Sequence, residues 1–110
     1  MDIQQVVEVW LQRAESNLRL AEVGQTEGIF FEDLCFEAQQ AAEKALKAVL
    51  IHLTGEYPRI HHLALLIELV EQYVSVPEEI HAAVAISNYA VQTRYPGDYI
   101  PSLRWSIGRG

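Results

Sequence analysis

The sequence predicts an all-α protein, an up-and-down four-helix bundle closed by a short C-terminal tail or partial fifth helix. Three observations carry that expectation. Apolar residues recur at intervals of three and four through most of the chain, strand-like alternation is absent, and Gly, Pro and Ser cluster at a few positions that divide the chain into helix-length pieces. With 110 residues, the chain is read as a single domain, 1–110, with a core of its own.

The first helix is predicted over about Ile3–Val23, with Ile3, Val7, Trp10, Ala14, Leu18 and Ala21 on one stripe. Asp2 and Gln5 have the spacing of a capping box, and Gly24 ends the helix. After a connection that includes Ile29, Phe30 and Phe31, the second helix is expected over Asp33–Leu53. Its inner stripe is Leu34, Cys35, Ala38, Ala42, Ala45, Val49 and Leu53, and Gln40, Glu43, Lys44 and Lys47 collect on the opposite, solvated side. Glu43 and Lys47 form an i,i+4 pair worth about 0.3–0.5 kcal/mol. Short alanine side chains let neighbours approach, so this helix is placed at the centre of the bundle. Phe36, Leu50 and Ile51 project onto its polar side. They read either as scattered apolar surface or as a contact face for a second copy or another protein.

Gly55 supplies the left-handed cap of that helix, and Pro58 fixes an extended approach to the next. The third helix is expected over about His62–Val74, facing inward with Leu63, Leu66, Ile67, Val70 and Val74. Ser75 and Glu78 read as a second capping box with Pro77 in the first turn, and the fourth helix runs to about Gln92, burying Ile80, Ala83, Val84, Ser87 and Val91. Pro96, Gly97 and Pro101 prevent a long continuation, while Leu103, Trp105 and Ile107 permit a short closing turn.

Charge and composition narrow the function classes. A net charge of −7 opposes non-specific affinity for phosphate backbones. Its distribution is uneven, because residues 1–43 hold nine acids against Arg13 and Arg19, whereas 44–62 hold Lys44, Lys47, Arg59 and three histidines against Glu56. No apolar run is long enough for a membrane span, and the N-terminus lacks a basic leader and cleavage site, so a cytoplasmic protein is expected. A single cysteine, Cys35, forms no internal disulfide.

Four strings together resemble the prokaryotic HEPN domain family. They are Ala14-Glu15-Ser16-Asn17-Leu18 with Ala21, then CFEAQQAAEKALKAVL from Cys35 to Leu50, then Ile60-His61-His62-Leu63 with Leu66, and finally Tyr89 with Thr93-Arg94-Tyr95-Pro96. The resemblance implies a bundle that dimerises and that often accompanies a minimal nucleotidyltransferase in a two-component, toxin–antitoxin-like system. Some relatives bind nucleotides or are metal-independent ribonucleases. The ribonuclease members place a histidine four to six residues beyond an arginine, the imidazole for proton transfer at the 2′-hydroxyl and the guanidinium for phosphate charge. Here Arg13, Arg19, Arg59 and Arg94 are not followed by histidine at that spacing, and relatives commonly have a further helix beyond the point where this sequence reaches Gly108-Arg109-Gly110.

Candidate ligand-binding residues follow from chemistry and position. Arg94 could receive a phosphate or carboxylate, with Tyr95 or Tyr99 offering a ring to a base; anchoring the loop is the plainer reading. His61 and His62 diverge on a helix and are poorly placed to chelate one metal, and His62 reads most simply as the cap of the third helix. Lys44 and Lys47 are ordinary salt-bridged surface or, with Arg59, a basic docking patch. No metal, cofactor or P-loop is implied, and the acidic metal-binding motif of a nucleotidyltransferase is missing. The expectation is therefore a non-catalytic HEPN-like homodimer that partners a nucleotidyltransferase and can face a nucleotide. The alternative is a ribonuclease that joins Arg94 to His61 or His62 on RNA.

Overall fold

The computed structural model describes residues 1–24 and 26–92. They form α1 (Ile3–Ala21), α2 (Phe31–Thr54), α3 (Leu63–Glu71) and α4 (Glu78–Gln92), an all-α bundle with no strand among the described residues. Arg94, Tyr95, Tyr99 and the expected closing turn lie outside the described residues.

Local sequence accounts for most helix ends. The Asp2 side chain accepts from the Gln5 N–H at 2.8 Å, and the Gln5 side chain accepts from the Asp2 N–H at 2.8 Å, completing the capping box. At the end of α2 Gly55 takes φ +76°, and its N–H donates to the Ile51 carbonyl at 2.8 Å. The start of α2 lacks a side-chain cap, because Phe30 holds the N-cap position, and Glu32 and Asp33 complement the helix dipole instead. His62 occupies the N-cap position of α3 as expected, with no side-chain hydrogen bond. The start of α4 differs from expectation. The Ile80 N–H closes on the Pro77 carbonyl, so α4 begins after Pro77 and the Ser75–Glu78 box does not set its start.

The central position of α2 holds: α1, α3 and α4 all pack on it, α1 most extensively. The side it presents to its neighbours is corrected. Its buried residues are Ala41, Lys47, Ala48, Leu50 and Ile51, whereas Val49 and Leu53 of the expected inner stripe are exposed. The reason is that three helices share α2. Val7 with Ala48 and Ile51 forms the core against α1, with Val6 and Trp10 packed beside it. Leu50 joins Leu66 and Val70 of α3, while Ala42 and Leu46 meet Leu63, Ile67 and Val84 where α3 and α4 converge. A single-stripe projection suits a surface helix and misassigns one that is covered from several directions.

The same geometry corrects the expected contact face: Leu50 and Ile51 are each 3% exposed and belong to the chain's own core, and Phe36 is half-buried. On α3 the expected Leu63, Leu66, Ile67 and Val70 are buried, but the helix ends at Glu71 and leaves Val74 outside. On α4 Val84 is buried as expected, together with Ala90, while Ile80 and Ala83 are exposed.

Candidate functional site

Glu43 and Lys47 lie one turn apart on the side of α2 that meets α1. Their ion pair is real, with Lys47 Nζ 2.8 Å from Glu43 Oε2, but it is not on the solvated surface. Lys47 is 2% exposed, which makes it the buried charge of the described core. Two other segments enclose it. Trp10 comes from α1, and Tyr57 and His61 come from the connection between α2 and α3.

The surroundings satisfy the ammonium almost completely. Lys47 Nζ lies 2.8 Å from His61 Nδ1, 5.6 Å from the Trp10 ring centroid and 5.8 Å from that of Tyr57. An ammonium has donors only, so His61 Nδ1 accepts and the ring proton resides on Nε2. The Trp10 and Tyr57 rings are 5.4 Å apart at 35°, a tilted contact that closes the top of the cluster. Glu43 Oε2 is also 3.5 Å from His61 Nδ1. A lysine so enclosed has no access to a phosphate. What it can do is clamp the α2–α3 connection onto α1 and α2.

Lys44 belongs to a different contact. Its Nζ donates to Asn17 Oδ1 at 2.6 Å, and Asn17 Nδ2 donates to Glu37 Oε1 at 2.7 Å, tying α1 to α2 through partly buried polar groups. Arg59 is exposed on the connection. The expected basic patch of Lys44, Lys47 and Arg59 is therefore not assembled: one lysine is enclosed, the other is engaged across a helix interface, and the arginine stands apart from both. His61 joins Lys47, whereas His62 is exposed at the N-cap of α3. His81 pairs with Glu71 at 2.8 Å, and no group of three or more His, Cys, Asp or Glu among the described residues is arranged to hold a metal ion.

Polar contacts also fix α4. Gln39 hydrogen-bonds Asn88, and Ser87 Oγ donates to the Cys35 carbonyl at 3.3 Å. The Cys35 thiol itself is held above its ordinary value by burial and, secondarily, by the nearby Glu32 carboxylate. That lowers its thiolate fraction and makes it a poor nucleophile.

Tyr57 carries no signal in the sequence patterns; Trp10 is marked there only as part of the apolar stripe of α1, and Asn17 and Glu37 only as members of the family strings. The usable signal was the mixture on the supposed polar side of α2, where Phe36, Leu50 and Ile51 accompany Glu43, Lys44 and Lys47. Large apolar residues among charges mark a buried polar seam as readily as a surface.

The asparagine of the Ala14–Leu18 string thus makes an interhelical tie, the central string forms the middle of α2, and His61 contacts Lys47. The HEPN domain family model matches residues 7–104. The chain belongs to the HEPN family. Neither the curated proteins nor the solved structures give a match. In this HEPN domain the matched stretch takes in all but the start of α1 and the whole of α2, α3 and α4. No helix among the described residues is long and apolar enough to cross a membrane.

Proposed function

We propose that this HEPN chain is a non-catalytic binding module, a homodimer that partners a minimal nucleotidyltransferase in a two-component, toxin–antitoxin-like system. The outer side of α4 supports the homodimer part of this reading. From Ala82 to Gln92 the helix has no charged residue, and Ile86 and Tyr89 are 67% and 71% exposed, with exposed Ala82 and Ala85 on the same side. A solvent-facing helix side in a soluble bundle is normally charged. In a two-fold pair a charge on the axis meets its own copy, so for a chain of net charge −7 an uncharged helix side is a favourable place for self-association. The acids of α4, Glu78 and Glu79, are confined to its first turn. At 15 residues, α4 offers about 22 Å of contact length.

Light scattering coupled to size exclusion tests the dimer: the wild type elutes as a dimer and Ile86→Lys as a monomer with unchanged helicity. A monomeric wild type at tens of micromolar removes the reading. Co-expression with a small protein carrying a G-S-x-D-x-D motif, encoded next to this chain, tests the partner. Calorimetry with ATP tests nucleotide binding.

The ribonuclease alternative has weaker support, because His61 is engaged by Lys47 through Nδ1 and the arginines lack a histidine at the ribonuclease spacing. Cleavage of labelled RNA without metal, abolished by Arg94→Ala, would revive it.

A further inference from the structure

The C-terminal ends of α2 and α3 border a groove of about 420 Å³. Leu50, Leu69 and Pro58 give it apolar surface, and Tyr57, Tyr73 and Glu56 supply its aromatic and charged groups. Tyr57 and Tyr73 are 46% and 53% exposed, so their rings are reachable from solvent. Among the described residues lining it there is no Lys, Arg or His. The Thr54 hydroxyl, also in the wall, is already committed to the Leu50 carbonyl at 2.7 Å.

The charged side chain among the described lining residues is acidic, and the Lys47 ammonium lies behind the wall, 5.8 Å from the Tyr57 ring. Each helix C-terminus carries roughly half a negative charge. The Glu56 carboxylate adds a full one, so a phosphate is repelled and a cation is drawn in. The aromatic groups act in the same direction, since a cation over a tyrosine face is attracted by the ring quadrupole. Tyr57 is held in place by Trp10 at 5.4 Å and Lys47 at 5.8 Å, neither of which lines the groove. Because Lys47 already lies over the Tyr57 ring, Tyr57 forms a preset wall while Tyr73 and Glu56 remain to receive the cation. Presetting removes part of the ordering cost of binding.

We propose that this groove, formed by Glu56, Tyr73 and the Tyr57 wall over Leu50 and Leu69, is a docking site for an arginine side chain presented by a partner protein. A planar guanidinium can stack on Tyr73 while forking to the Glu56 carboxylate, a combination that an ammonium matches less well. The site is complete within one chain and uses none of the exposed α4 residues. It therefore stands or falls independently of the α4 dimer.

The test is methyl NMR on the full chain, titrated with acetyl-Gly-Arg-Gly-amide, with acetyl-Gly-Gln-Gly-amide and ADP as controls. The arginine peptide should shift the Leu50 and Leu69 methyls saturably and lose affinity as salt is raised. Tyr73→Ala and Glu56→Gln should each weaken it about three- to tenfold, and Tyr73→Phe should retain it. Both residues are exposed, so these substitutions leave the core intact. Equal shifts with the glutamine peptide, stronger shifts with ADP, or no shift at about 10 mM arginine peptide would each overturn the proposal.

Discussion

Replacing Lys47 with Met separates a structural lysine from a surface one. Methionine keeps the apolar stem in place and removes only the charge and its hydrogen bonds. The Glu43 carboxylate, 17% exposed, then loses a partner at 2.8 Å, and His61 Nδ1 loses its donor. Removing one member of a buried ion pair costs about 3–5 kcal/mol. Residual hydration of Glu43 and the adjacent His61, 3.5 Å away, place the expected loss near the lower end, about 3 kcal/mol. For a chain of this size that lowers Tm by roughly 13 °C. Urea unfolding followed by far-UV circular dichroism measures it, with the slope checked to confirm that compactness is unchanged. The second arm is Lys47→Met with Glu43→Leu, which removes both charges. It should recover at least half of the loss, because the penalty comes from an unpaired carboxylate. If Lys47→Met alone stays within about 0.5 kcal/mol of wild type, as surface substitutions do, the enclosed-lysine argument fails.

Further outcomes can be measured on the same chain. Asp2→Ala should cost about 1 kcal/mol in urea unfolding through loss of the α1 cap. Gly55→Ala should cost about 1–2 kcal/mol from the left-handed backbone alone. The added Cβ would meet Ile3 Cδ1 at an ordinary 3.5 Å, so packing adds little to that cost. Cys35 should react with iodoacetamide at pH 8 several-fold more slowly in the folded chain than in urea. Its folded-state value lies above the ordinary 9.0, so its contribution to stability is fully present below that value and is lost as pH rises through the folded one. Stability in Cys35→Ser should therefore fall less steeply above pH 9 than in wild type.

The helices and their caps were legible because they are written locally. Asp2 with Gln5, Gly55 at a positive φ and the Leu63–Leu66–Ile67–Val70 spacing each act within a few residues. What periodicity could not show was which neighbour meets which side of α2. Lys44 and Lys47 look solvated until Asn17, Trp10 and Tyr57 arrive, and those come from 27, 37 and 10 positions away. The capping box at Ser75 failed for a related reason: the turn at Pro77 closes α4 two residues later than the motif alone would place it. The candidate site was half readable. Lys47 and His61 were both named, but as separate surface groups, because their 2.8 Å contact depends on how the α2–α3 connection folds back over α2.

The enclosed lysine and the acidic groove share Tyr57, and that makes one a condition of the other. Tyr57 follows the break at Gly55, beyond the hydrogen-bonded reach of either helix. Trp10 and the Lys47 ammonium both contact its ring, and Tyr57 also lines the groove. Removing the Lys47 charge therefore removes both the ring's cationic partner and the tie through His61. In the doubly neutralised Lys47→Met, Glu43→Leu chain, α2 stays packed but the wall is no longer preset. Arginine-peptide affinity should then fall several-fold while the proposed self-association through α4 is unchanged, since Ile86 and Tyr89 lie on another helix. Unaltered peptide affinity in that variant would show that Tyr73 and Glu56 suffice without the clamp. A parallel loss of dimer would show that the clamp supports the whole bundle and not the groove in particular.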